Sequence, residues 1–85
     1  MDRYEIEIPK RVAKQIRSIP LPWRNRIWRA MDLLREKPFL GERMQGEYAD
    51  IMKLKVWPYR IFYIVFSSQR KIVIVRAKHR GSVEY

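Results

Sequence analysis

The chain contains no cysteine, so disulfides and thiolate metal sites are excluded. A single histidine, His79, leaves too few imidazoles to expect a zinc site built from protein ligands. The same histidine sits in a basic tail, where no Ser-His-Asp order can form around it. Glycine is nearly as scarce. The 3 glycines are scattered, and no glycine-rich phosphate loop exists. No apolar run approaches the roughly 20 residues that span a bilayer. Met1 to Ile8 alternates charged and apolar residues, unlike a signal peptide. The expectation is a cytoplasmic protein with no membrane partner and no cofactor. Acidic residues are also few, 9 against 19 Lys and Arg, for a net charge of +10. Such an imbalance favours nucleic acid, acidic protein segments or anionic lipid as partners.

What is present suits one small domain covering residues 1–85. Hydrophobic residues make up 47%, enough for a packed interior without staples. Arg3 to Ile8 alternates, with Tyr4, Ile6 and Ile8 on one face, and reads as a half-buried strand that Pro9 ends. Lys10 to Ser18 has helical spacing at Val12, Ile16 and Ile19, with basic residues elsewhere on the circumference. Ile19-Pro20-Leu21-Pro22 breaks it. A second helix is predicted from about Pro22 to Glu36, with Trp23, Ile27, Ala30, Met31 and Leu34 as its core stripe. Lys37 to Ala49 is the loosest part, punctuated by Pro38, Gly41 and Gly46.

Asp50 to Phe66 reads as two strands joined by a tight turn at Trp57-Pro58. Lys53 and Lys55 alternate with Met52, Leu54 and Val56, so the two lysines share one face. Arg60 opens the second strand. Ser67 to Arg70 is a polar turn, and Lys71 to Ala77 is a β-branched, buried strand. The fold class is therefore α+β with order β-α-α-β-β-β. A helical hairpin packs on one face of a small twisted sheet, mainly antiparallel. The other face stays at least partly open.

The carboxylates Glu5, Glu7, Glu42, Glu47 and Asp50 show no pairing that implies acid–base work, and read as solvated. The cations differ. Lys53, Lys55, Arg60, Arg76, Lys78, His79 and Arg80 all lie in the last three strands or just after them. Arg60 and Arg76 are embedded in apolar runs, where a cation is costly to place. Such a cluster suits a phosphodiester. Cleavage by the ribose 2′-hydroxyl needs a base, charge stabilisation at phosphorus and a proton for the leaving 5′ oxygen. A lysine crowded by cations loses its proton more readily, and arginine forks fit phosphate. No metal is required.

The element order, Ala13-Lys14-Gln15-Ile16, Arg24 to Leu34, Met44-Gln45-Gly46 and His79-Arg80 resemble the RelE/ParE toxin superfamily. The most specific part is Leu54 to Tyr63, which fits the pattern L-x-V-x-x-Y-R-x-x-Y. The RelE-type branch of that family consists of toxins of toxin–antitoxin pairs, which cut messenger RNA in the ribosomal A site. The resemblance implies a ribosome-dependent messenger-RNA endoribonuclease contacting mRNA and ribosomal RNA, with an acidic antitoxin as cognate partner. It implies that Lys53 and Lys55 match the paired strand lysines and Arg60 the arginine after tyrosine. Arg80 or Arg76 matches the late arginine, and Tyr85 the terminal tyrosine, which would stack on a base. His79 is a second candidate in that region, since other branches rely on histidine. Two alternatives stand beside it: a ParE-type DNA gyrase inhibitor, and a nucleic-acid-binding domain without catalysis.

Overall fold

The computed structural model describes residues 3–81. Strand β1 (Glu5–Glu7) leads into helices α1 (Lys10–Arg17) and α2 (Leu21–Glu36). Strands β2 (Glu42–Arg43), β3 (Met52–Val56), β4 (Tyr59–Phe66) and β5 (Lys71–His79) follow. The sheet order is β1-β5-β4-β3-β2, with β1 parallel to β5 and the other pairs antiparallel. The expected α+β arrangement is present, with one addition. The loose segment between Lys37 and Ala49 contributes the two-residue edge strand β2 and a 3-10 turn, Gly46–Tyr48.

Both helices start without a side-chain cap. Pro9 precedes α1 and Pro20 precedes α2, each extended, and the α2 first turn also holds Pro22. Proline has no N–H to leave unsatisfied in a first turn, so these positions tolerate it. α1 closes where the Ser18 hydroxyl donates to the Gln15 carbonyl at 2.7 Å. Arg24 of α2 donates to the Arg17 carbonyl at 3.0 Å and ties the two helices at their junction.

The core lies between the helices and one sheet face. Val12, Ile16 and Ile19 from the first helical stretch and Ile27, Met31 and Leu34 from α2 recur at helical spacing. They meet Met52, Ile61, Tyr63, Ile72, Ile74 and Ala77. Each such Ile or Leu is worth about 1.5–3 kcal/mol relative to exposure. Among the described residues, no helix lies over the opposite sheet face.

Two features of β5 matter for that open face. First, β1 pairs only with Lys71 to Val73, so the rest of this edge would be unpaired. Helix α1 covers it: Arg11 donates to the Val75 carbonyl at 3.4 Å, and the Ala77 N–H donates to Gln15 Oε1 at 3.3 Å. Second, the β4–β5 register shifts between Phe62, opposite Arg76, and Tyr63, opposite Ile74. Val75 is the extra residue of a β-bulge. Strict alternation from Ile72 and Ile74 would drive Arg76 into the core. The bulge instead sends Ala77 inward and leaves Arg76 on the open face.

Candidate functional site

Three adjacent strands bring their cations to this face. The turn at Trp57-Pro58 fixes the β3–β4 register, so Lys55 stands opposite Arg60 and Lys53 opposite Phe62. In the next ladder Arg60 stands opposite Lys78 and Phe62 opposite Arg76. Two cross-strand rows result, Lys55–Arg60–Lys78 and Lys53–Phe62–Arg76. From strand spacing and rise they cover a patch about 10 Å by about 7 Å. Arg60 and Arg76 are diagonal neighbours, roughly 7–8 Å apart at the backbone and within reach of one phosphate for two long side chains.

Phe62 forms the floor. It is only 4% exposed although it faces away from the helices. Long Lys and Arg stems can lie along an apolar surface and keep their charged heads in water. Among the described residues, no carboxylate reaches ion-pairing distance of Lys53, Lys55 or Arg60. Ion pairs lie elsewhere: Arg35 with Asp32 on α2, and Lys71 with Glu7 at 3.2 Å at the far end of the sheet.

The remaining candidates divide. His79 stands opposite Tyr59, one residue out of phase with the Arg60–Lys78 pair, and so faces the helix side. There its ring meets Tyr59 edge-on, centroids 5.2 Å apart, and its Nδ1 accepts the Gly81 N–H at 3.0 Å. It lines an open hollow at the β5 edge with Gln15, Ser18 and Ile19, which Arg76 and Lys78 also border. Arg80 lies past the end of β5. Its N–H donates to the Pro58 carbonyl at 2.7 Å, and its guanidinium lies 4.3 Å over the Trp57 ring. Tyr85 lies outside the described residues.

Two neighbours of the cluster escape a reading by sequence pattern. Glu42 on β2 stands directly across the ladder from Lys53. A two-residue strand has no periodicity to reveal it. Gly41, next to it, is required by close approach. A Cβ there would lie 2.6 Å from the Lys53 carbonyl oxygen and 2.8 Å from the Tyr63 hydroxyl. That hydroxyl accepts the Gly41 N–H at 2.9 Å and anchors the start of β2 beneath Lys53. Among the described residues no group of three or more His, Asp or Glu could hold a metal ion. No helix there is long and apolar enough to cross a membrane.

Residues 6–83 match the family model of the ParE toxin of type II toxin–antitoxin systems, parDE. The chain belongs to this family. It is a toxin of the RelE/ParE superfamily. No curated protein matches this toxin in sequence. Solved structures give the same fold. The RelBE2 toxin–antitoxin complex of Mycobacterium tuberculosis aligns with a TM-score of 0.83 at 20% identity, over 92% of this chain and 99% of that one. The archaeal RelE–RelB complex of Pyrococcus horikoshii OT3 aligns at 0.80 and 26%, over 95% and 99%. A YoeB/ParE toxin from Agrobacterium tumefaciens aligns at 0.76 and 13%, over 88% and 96%.

Proposed function

We propose that this toxin cleaves messenger RNA in the ribosomal A site, and that a cognate acidic antitoxin neutralises it. The observation that carries the reading is the pair of cation rows on the one sheet face without helices.

In this reading Lys53 or Lys55 takes the proton of the ribose 2′-hydroxyl. The 2′ oxygen attacks phosphorus, and the bond to the 5′ oxygen breaks. Arg60 holds the scissile phosphate. Arg76 or Arg80 neutralises the charge that grows on its oxygens or donates the leaving oxygen's proton, a role for which His79 is the alternative donor. Tyr85 stacks on a base. Glu42, beside Lys53, is a second acceptor for the 2′ proton. Positioning and electrostatics supply most of the rate. The antitoxin partner is supported by the two complexes named above and by the charge of +10, which suits an acidic segment that orders on binding.

The ParE name of the matching family favours a second reading, inhibition of DNA gyrase without RNA cleavage. A translation reaction followed by primer extension separates the two. Codon-placed cuts are expected, with supercoiling by gyrase unaffected. Intact messenger RNA with impaired supercoiling would reverse the choice. Lys53→Ala, Lys55→Ala and Arg60→Ala should each lower cleavage about 100-fold or more, the usual cost of losing a catalytic base or a transition-state cation. Full toxicity in all three would sink the site.

A further inference from the structure

The most exposed large apolar side chain among the described residues is Trp57, at 63%. It occupies the two-residue turn between β3 and β4, whose Trp57-Pro58 bond is cis. The Arg80 guanidinium lies 4.3 Å over the ring, and the Arg80 backbone is fixed to the turn through the Pro58 carbonyl. One ring face is therefore held by a cation, and the ring's orientation is set. Trp57 lies two residues beyond Lys55 and Arg80 two residues beyond Lys78, so the pair sits at the end of the sheet next to the row Lys55–Arg60–Lys78.

An exposed, oriented aromatic face beside a phosphate-binding row matches what single-stranded nucleic acid presents: a π-face attached to a phosphate. A flexible indole would have to be ordered on binding. This one is already held. We propose that Trp57, steadied by Arg80, is a stacking platform for one unpaired base of a single-stranded RNA whose neighbouring phosphates lie on Lys55, Arg60 and Lys78. The proposal rests on the RNA reading above and names how the toxin grips the strand beside the scissile bond. A stacking platform accepts any base, since every base has a π-face, so it contributes grip without sequence preference.

The test is fluorescence anisotropy with a short 2′-O-methyl RNA, which cannot be cleaved, against the same backbone carrying abasic sugars. The wild-type toxin should prefer the base-bearing strand by roughly 5- to 150-fold. Trp57→Ala and Trp57→Leu should lower that ratio about 5-fold or more, leaving the share that Tyr85 supplies, and Trp57→Phe should lower it less. Lys55→Ala should weaken both strands equally and leave the ratio standing. Thermal melts of each variant check that the exposed turn substitution leaves the fold intact, and the leucine variant separates a π-face from mere apolar bulk. Equal binding of both strands by the wild-type toxin, or an unchanged ratio in Trp57→Ala, overturns the platform and leaves the RNA reading in place. Failure of the wild-type toxin to bind either strand at low salt overturns the platform too, while the RNA reading stands or falls on the primer-extension assay above.

Discussion

Tyr63 sets a phenol hydroxyl inside an apolar core. Its side chain is fully buried, and burial pushes its pKa above the ordinary value of 10.0, against the Gly41 N–H, which pulls the other way. The folded state thus holds the Tyr63 proton more tightly than the unfolded chain. The stability this contributes is complete below about pH 10 and is lost as pH rises from there through the folded value. Tyr63→Phe should remove that part of the alkaline decline. At neutral pH it should cost about 1–2 kcal/mol, because the Gly41 N–H loses its acceptor. Urea titrations of both proteins at pH 7 and across a series above pH 9 check both halves, and an unchanged alkaline slope would assign the decline to other groups. The hydroxyl's partner was not legible in the sequence. Tyr63 reads simply as part of an apolar run, and nothing local links it to Gly41, 22 positions away. Lys55 and Arg60 were legible as a facing pair. A two-residue turn at Trp57-Pro58 makes Val56 face Tyr59 and Lys55 face Arg60 by counting alone.

Strands β2 and β5 carry the parts that counting misses. In β5, Ile72-Val73-Ile74-Val75 alternates cleanly, and extending the alternation buries Arg76. Only the bulge at Val75 corrects this, and a bulge has no reliable sequence mark when no glycine is involved. The same shift puts Lys78 beside Arg60 and turns His79 toward the helices, so the tail's two candidate donors, His79 and Arg80, end up in different surroundings. In β2, the site depends on how closely Gly41 approaches β3. A methyl group there would meet backbone at Lys53 and a buried hydroxyl at Tyr63, neither of which can swing away. Gly41→Ala should therefore cost about 1–3 kcal/mol, as other overpacked positions do. That corresponds to a fall in Tm of roughly 4–8 °C for each kcal/mol in a chain of this size. Cleavage should fall as well, because β2 and Glu42 move relative to Lys53. A calorimetric scan with a parallel cleavage assay decides it: an unchanged Tm would mean that β2 is not held against Tyr63.

At the scale of the whole molecule, the question is whether the charge of +10 acts as a diffuse field or through one face. The two possibilities differ in how binding responds to salt. Each phosphate neutralised on a single strand releases counterions and contributes about −0.7 to the slope of log K against log salt. If Lys53, Lys55, Arg60, Arg76 and Lys78 all engage phosphates, the slope for a short single-stranded RNA should be about −3.5. Lys55→Ala and Arg60→Ala should each make it shallower by about 0.7. Lys10 and Lys14 are exposed on α1, behind the sheet, with equal formal charge. Their alanine variants should leave the slope unchanged and shift affinity only slightly, through the screened field beyond a Debye length of about 8–10 Å. A diffuse field predicts the opposite, with all four variants moving slope and affinity alike. Anisotropy titrations from low to physiological salt measure the difference directly. Equal slopes for the Lys14→Ala and Arg60→Ala variants would remove the sheet face from RNA binding and turn attention to the basic surface of the helices.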